Sequence, residues 1–479
     1  MSTTTGPTFA QRAPANDEGR LSWPPLIALS LGYFLVMLDI TVVTVAVPTI
    51  RDSISAGASA MAWVVDGYST AFAGLLLLGG SLGDRLGHRK VFLTGLGVFT
   101  VASIGCGAAT TPMLLIVARL LQGAGGALMV PTSLALLAAA YPSRAARAKA
   151  LGIWGGVAGV AFAAGPLVGG LLVAGLDWRA AFWLNVPVAL LAVWLTRKHV
   201  PAPVARTDRG GLDLTGQVLG IVGLTALAGT LNEAGTQGWT SPLVLGALGA
   251  GVVALLLFVL HERRLEARDG QGTAPLLPPS LFRSPAFSSA AAIGVLLNLG
   301  YYGMLYLSTL YFQNERGYDA LGTGIALLPT VCMAVVAAPL SGRLTARYGP
   351  RLPMTCALLL GAAGFLGWLF AGPDTPYWML LFALIATGLA TPTTVPAATA
   401  AIVQAAPENR SGVASAVFNV ARQVGNSVGV ALFSTLVVTS TNLITGLHAA
   451  AVIASVAFFA GALLALNSGR TAKAHNTPS

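Results

Sequence analysis

The sequence predicts an all-α polytopic membrane protein of fourteen transmembrane helices, two six-helix bundles with two extra central helices between them. Three observations carry this. Apolar types make up 55% of the 479 residues while Asp, Glu, Lys and Arg make up 9%, where soluble domains run near 25% charged. Apolar stretches of about 20 residues recur along the chain, each long enough to cross a bilayer as a helix. The basic residues fall unevenly between alternate connecting segments, as they do in membrane proteins of fixed orientation. This composition excludes a soluble enzyme, a disordered protein and a nucleic-acid binder. The stretches are continuously apolar, which excludes the alternating strands of a closed β-barrel.

Residues 1–23 are polar and lack an apolar h-region, so they read as a cytoplasmic N-terminal tail and not as a signal peptide. Spans then follow at 25–48, 61–83, 91–110, 112–139, 149–173 and 179–196, making 24–197 the N-terminal six-helix bundle. The longest internal loops, 197–212 and 261–285, bracket two spans at 213–232 and 242–260. Residues 198–285 therefore form a linker with two extra transmembrane helices. Spans at 286–312, 321–342, 352–371, 377–402, 412–438 and 447–467 make 286–468 the C-terminal six-helix bundle, and 469–479 is a cytoplasmic tail. Cys106, Cys332 and Cys356 lie far apart inside apolar runs, which fits neither a disulfide framework nor a metal cluster. They read as small buried hydrophobes.

The charges set the orientation. Of the 27 Lys and Arg, Arg51, Arg179 and Arg316 fall on one side of the membrane and Arg119 and Arg422 fall within spans. The others share the side of the N-terminus, which places both termini in the cytoplasm. The net charge of +10 thus marks topology rather than a polyanionic partner. An internal repeat supports the two-bundle division. Gly80-Ser-Leu-Gly-Asp84-Arg85-Leu-Gly87-His-Arg89 stands between the second and third spans. Gly342-Arg-Leu-Thr-Ala346-Arg347-Tyr-Gly349-Pro-Arg351 stands between the tenth and eleventh. Two related bundles around a central site are a transporter architecture.

Charge inside a span costs several kcal/mol unless paired or hydrated, so Asp39, Asp66, Arg119 and Arg422 are the first candidates for chemistry. Asp39 lies mid-way along its span and Arg119 about two turns below the outer end of its own, at similar depth. They can pair if their helices are neighbours. Asp39 is then the main protonation site, reached from outside, with Arg119 as its modulator. Asp66, about one turn inside its helix end, is a second proton site, a contact for cationic cargo, or simply a helix-end acid hydrated from outside. Asn419, Arg422, Gln423 and Asn426 share a helical face, and Asn298, Tyr302 and Tyr306 follow at i, i+4 and i+8. The first set is a candidate cavity lining or an interhelical polar network, and the second a candidate aromatic wall for a flat or cationic cargo or plain packing. Tyr311 reads as part of an interfacial belt. The glycine face Gly152, Gly155, Gly156, Gly165, Gly169, Gly170, with Pro166, allows close helix approach and a bend.

Several motifs resemble the major facilitator superfamily, specifically its fourteen-helix drug:proton antiporter branch, over about Leu31 to Leu466. Leu38-Asp39-Ile-Thr41-Val-Val-Thr44-Val-Ala-Val-Pro48 is similar to the branch's first-span motif, with Thr44 where Asn is usual. Gly80 to Lys90 is similar to its cytoplasmic-loop motif, with His88 where Arg is usual. The resemblance implies that Asp84 and Arg85 form a charge latch closing the inner side, flanked by Gly80, Gly87 and Arg89. Arg119-Leu-Leu-Gln122-Gly123-Ala-Gly125-Gly126 is similar to the motif whose Arg is linked to proton transfer. Gly152, Gly165, Pro166, Gly169 and Gly170 match the antiporter motif of exporters, with Ala161 replacing one glycine. Trp63-Val-Val-Asp66-Gly67-Tyr68 and Phe418-Asn419-Val-Ala-Arg422-Gln423-Val-Gly425 also fit the branch. The likeness is to bacterial antibiotic-resistance exporters of the methylenomycin A type.

The resemblance implies proton-coupled efflux of small hydrophobic or amphipathic drugs across the bacterial cytoplasmic membrane by alternating access. The expected partners are the lipid bilayer, the drug and protons, with no nucleic acid. No cofactor and no metal are expected, the proton gradient being the driving force, and the chain is expected to act as a monomer. An importer or facilitator of the same fold is the competing class. A polytopic enzyme is disfavoured because none of the five His pairs in sequence with a matching acid or Cys. No Walker A run is present.

Overall fold

The computed structural model describes residues 21–201, 213–268, 275–318, 320–407 and 410–467. The expected tails fall almost wholly outside them, as do 202–212 and 269–274 of the two long loops. Every described element is helical. The first half comprises α1 (Trp23–Ser53), α2 (Ala58–Leu86), α3 (His88–Gly107), α4 (Pro112–Ala140), α5 (Arg144–Gly175), and α6 (Arg179–Trp183) running directly into α7 (Asn185–His199). Then come α8 (Leu214–Gln237) and α9 (Pro242–Ala267). The second half comprises α10 (Pro285–Leu310), α11 (Ala320–Tyr348), α12 (Arg351–Leu366), α13 (Tyr377–Ala405), α14 (Ser411–Thr439) and α15 (Leu443–Asn467).

Helix is the answer each segment must give, because the bilayer core offers no water to backbone N–H and C=O groups. Boundaries carry their usual signals. Thr111, Ser143 and Ser284 accept from the backbone N–H of Leu114, Ala146 and Phe287 at the starts of α4, α5 and α10, and prolines open the first turns of α4 and α10. A helix stands at each of the fourteen places the sequence marked. Ten apolar helical segments, counting α6 with α7 as one, are long enough to cross a membrane by length and composition, and the bent α5 makes eleven. Of the other three, α2 and α14 are diluted by small and polar residues, and α8 is apolar but short, over Leu214–Thr230 among the described residues.

One end of the bundle gathers the starts of α1, α3 and α14 and the ends of α2, α4 and α7. There Tyr141 donates to the Ser22 carbonyl, Arg89 to the Arg197 carbonyl and Arg410 to the Pro275 carbonyl. This is the basic end. At the opposite end Arg179 reaches the Ala109 carbonyl and Arg316 the Thr375 carbonyl.

Within the first half α2 and α3 pack on α4, and α1 packs on α5; within the second, α10 packs on α14 and α15, and α13 on α11 and α12. The halves meet along two seams, α2 with α14 and α5 with α11. Both seams are closed at the basic end by glycine. A methyl built on Gly80 would stand 2.6 Å from the Gly412 carbonyl oxygen, and one on Gly152 would stand 2.7 Å from the Ala338 carbonyl oxygen and from Gly342 Cα. The repeat is thus realised in space: Gly80 and Gly342, its first glycines, each press against the opposite half. Its later glycines, Gly87 and Gly349, both take positive φ, 92° and 79°, a conformation glycine alone adopts freely. Each turns one helix into the next.

Helices α8 and α9 pack on each other, and α8 leans on α2 and α14. Asp213, just before α8, hydrogen-bonds His261 of α9 and the Gly216 N–H, and Glu262 accepts from the Leu277 N–H on the approach to α10. The extra pair is thereby tied to the second half at the basic end.

Three sequence expectations need correction. Cys332 and Cys356 are exposed and only Cys106 is buried, because an apolar helix surface facing lipid needs no protein cover. Tyr311 is fully buried, donating to the Gly372 carbonyl and packing edge-on against Trp368. A π-helical turn at Tyr311–Glu315 continues α10 there, carrying the ring inward instead of to a surface belt. Gly170 has no neighbour within 4 Å of a built Cβ, whereas Gly165 and Gly169 press on Thr41 and Val42 of α1. One residue further along a helix faces about 100° away.

This sets a paired test. Gly152→Ala forces a methyl against backbone and should cost about 1–3 kcal/mol. Gly170→Ala should be neutral or slightly stabilising. Melting temperatures of the two purified variants in detergent check the contrast.

Candidate functional site

The first site is an ion pair sealed inside the first half. Arg119 of α4 and Asp39 of α1 meet through Nη1 and Oδ2, with the Arg119 side chain 1% and the Asp39 side chain 0% exposed. The pairing expected from depth alone is therefore present. Helical spacing then adds a partner that the sequence reading left out of the site. Gln122 lies three residues after Arg119, on the same face. Its Oε1 accepts from Arg119 at 2.7 Å and its amide donates to Asp39 Oδ1 at 2.7 Å and Ser103 Oγ at 2.9 Å. Asn185 of α7 donates to the same Oδ1 at 2.9 Å. Arg119 Nε donates to the Val64 carbonyl of α2 at 3.0 Å, and the guanidinium stacks over the Tyr68 ring at 4.4 Å. Cys106 donates to Gln122 at 3.6 Å.

Five helices, α1, α2, α3, α4 and α7, thus converge on one charge pair. Asp39 accepts from three side-chain donors, so both oxygens are held as a carboxylate wants to be held. The anticipated path from Asp39 to outer solvent is closed in this conformation. Asp66 lies half-buried on α2, two residues beyond Val64. It is about two turns from the helix start rather than one, because α2 begins at Ala58.

The second site is the latch at the basic end. Asp84 accepts from the backbone N–H groups of Gly412 and Val413, at 3.2 and 3.1 Å, where α14 begins. A carboxylate at a helix N-terminus complements both the free N–H groups and the dipole. His88 Nε2 lies 3.3 Å from Asp84 Oδ1, so this histidine serves the latch acid directly. Arg89 is spent on the Arg197 carbonyl of its own half, and Arg85 is half-buried beside the latch. Resemblance put Asp84 in a charge latch; in the structure it accepts across the seam from two backbone amides.

The third site is a central cavity between the halves. Its lining comes from α1, α5, α10, α11, α13 and α14 and includes Tyr33, Phe162, Tyr301, Tyr302, Thr391 and Arg422. Tyr33 stacks on Trp154 with centroids 3.9 Å apart and planes 11° from parallel, and Phe162 meets Tyr302 edge-on at 6.5 Å. Just beyond Phe162, α5 bends by 41° before Leu167, the break that Pro166 was expected to make.

Of the expected cavity residues, Tyr302 and Arg422 line it, and Asn298 backs it, fully buried, with Oδ1 3.5 Å from Arg422 Nε. Tyr306 is 38% exposed and outside the lining. Eight residues are 2.2 helical turns, so it sits about 80° round α10 from Asn298, and Tyr301 takes the place intended for it. The α14 polar face also divides. Asn419 donates back to the Ser415 carbonyl of its own helix, and Gln423 lines a separate small cleft against α2 and α8. Asp39 faces α4, away from the cavity, so it offers no acid to a cationic cargo there.

Two halves that meet along equivalent glycine seams, a latched end and a central cavity are the geometry of one transporter family, and sequence comparison decides which. The Major Facilitator Superfamily model matches residues 29–220 and 209–430. This chain belongs to the major facilitator superfamily. It is 36% identical to a methylenomycin A resistance protein of Streptomyces coelicolor, over 95% of each chain. It is 38% identical to a tetracenomycin C resistance and export protein of Streptomyces glaucescens, covering 91% of this chain and 80% of that one. It is 35% identical to the multidrug resistance protein Stp of Mycobacterium tuberculosis, covering 86% and 75%. Its fold is shared with the human organic anion transporter MFSD10, at a TM-score of 0.67 and 16% identity over 92% of this chain and 99% of that one. It is a multi-pass membrane protein of a transporter family, homologous to antibiotic resistance and export proteins.

Two outcomes follow. Arg119→Met leaves a buried carboxylate unpaired and should destabilise the protein by about 3–5 kcal/mol, whereas Asp39→Leu combined with Arg119→Met should cost less than either single change. Unfolding of the reconstituted variants measures this. Asp84→Asn weakens the hold on the α14 N-terminus by roughly 1 kcal/mol, a shift of about fivefold toward parted halves at the basic end. Spin-label distances across the α2–α14 seam read it.

Proposed function

We propose that this protein is a proton-driven exporter of small hydrophobic or amphipathic antibiotics, working by alternating access in a bacterial cytoplasmic membrane. The observation that carries the reading is the Asp39–Arg119 pair. A carboxylate buried at mid-membrane beside a cation, and held by donors from two further side chains, is costly to keep. A proton carrier needs such a group: one whose partners change with conformation, so that its affinity for protons changes too. Sealed as it is here, Asp39 takes up or releases a proton only when the helices around it move. α1 carries both Asp39 and the cavity residue Tyr33, and so links proton binding to the cavity.

The relatives support the direction of transport, since their names speak of resistance and export. The positive-inside distribution supports placing the basic end, and both termini, in the cytoplasm. In that orientation the conformation described is closed to the cytoplasm by Asp84 and the two glycine seams. The proton gradient supplies the work in this reading, with no cofactor, and one chain suffices.

The test is resistance in a pump-deficient bacterial host against a panel that includes methylenomycin A, tetracenomycin C and puromycin. The wild type should raise the inhibitory concentration of at least one compound, and collapse of the proton gradient should raise its accumulation in the cells. Asp39→Asn, at matched membrane levels, should lose the protection. Full protection by that variant sinks the coupling assignment.

A further inference from the structure

The polar chemistry of the central cavity is one-sided. Among the described residues of its lining Arg422 carries the charge and none is a carboxylate. The two arginines inside the membrane differ sharply. Arg119 has Asp39. Arg422 has two distant neutral neighbours, Asn298 Oδ1 at 3.5 Å from its Nε and Tyr33 Oη at 3.4 Å from its Nη1. A guanidinium away from bulk water and without a counter-charge is expensive.

A second, independent feature points the same way. Thr391 of α13 is 6% exposed, lines the cavity, and its buried hydroxyl has no hydrogen-bond partner. Its neighbours on the same helix, Thr387 and Thr394, spend theirs on the Ala383 and Ala390 carbonyls at 2.7 and 2.8 Å. Thr391 therefore offers an uncommitted donor to the space that Arg422 faces. Tyr33 and Tyr302 line the same space.

We propose that the cavity selects a small planar monoanion, a carboxylate in the first instance, with Arg422 as its counter-charge and Thr391 as an additional donor. A carboxylate matches the guanidinium fork and satisfies the charge that this conformation leaves unpaired. The stacked Tyr33–Trp154 pair and the Phe162–Tyr302 edge contact give the cavity aromatic walls suited to a flat body. A cation meets like charge there and finds no acid, so the site works against it as well as for the anion. The proposal rests on the exporter reading for the direction of movement alone; the ligand chemistry stands on the lining.

Binding, measured apart from transport, separates the two. The full chain in lipid nanodiscs is titrated with tritiated 2-naphthoate, competed by 2-naphthamide and by 2-naphthylmethylammonium, which share the ring and differ in charge. The carboxylate should bind about tenfold or more tightly than the amide, the scale of one charge-assisted bond, and the ammonium more weakly still. Arg422→Gln should bring the carboxylate-to-amide ratio to about one, and Arg422→Lys should keep much of it. Thr391→Val should weaken carboxylate binding several-fold while leaving a preference for the anion. Equal binding of the three compounds to the wild type, or an unchanged ratio in Arg422→Gln, overturns the proposal. Anion preference in a protein that confers no resistance overturns the exporter reading instead.

Discussion

A carboxylate and a guanidinium cannot stand alone in the interior of a bilayer, and much of the first half is arranged around that fact. Asp39 and Arg119 are brought together by α1 and α4. Once paired, they still present oxygens and N–H groups that need partners, and each partner draws in another helix: Asn185 from α7, Ser103 and Cys106 from α3, the Val64 carbonyl and Tyr68 ring from α2. A polar network of this kind is worth most when complete and little when half made. It fixes the register of five helices at one depth. Among its described residues the second half shows no such centre. It packs on aromatic rings, Phe287, Phe365, Phe418, Phe433 and Phe458 among them, and its membrane charge faces the cavity.

The two seams express the same asymmetry. Each is closed by glycine against backbone, at positions the internal repeat makes equivalent. One seam carries in addition the hold of Asp84 on the start of α14. In the second copy of the motif Ala346 stands where the acid was. The α5–α11 seam is a close backbone contact continued by Gly159 against Ala334, and the α2–α14 seam adds to its contact a carboxylate that His88 touches.

What the sequence disclosed, and what it withheld, follows from how each signal arises. Charge in an apolar run is rare and costly, so Asp39, Arg119 and Arg422 could be singled out without coordinates, and the repeat exposed the glycines of both seams. Gln122 was legible in principle, three residues from Arg119 on one helical face. Asn185 and Ser103 were not: a lone amide or hydroxyl in a membrane helix often serves its own backbone, and Ser103 also does so, donating to the Phe99 carbonyl. Tyr306 and Gly170 were misplaced by helical phase, which accumulates over turns and cannot be read from identity. Tyr311 was misplaced because a π-helical turn resets that phase.

The unmatched charge of Arg422 has an electrical consequence. When a cavity opens to one side, the membrane voltage falls across the closed side, so a charge in the cavity crosses the field as access alternates. An elementary charge carried across 100 mV is worth about 2.3 kcal/mol. In the exporter reading, a monoanion beside Arg422 makes the outward step of the loaded carrier close to electroneutral. The return step carries Arg422 and an incoming proton together, both pulled inward by a cytoplasm that is negative. The voltage would then act chiefly on resetting the empty carrier, and a cell that lost its potential while keeping its pH difference would find the pump slow to return rather than slow to release.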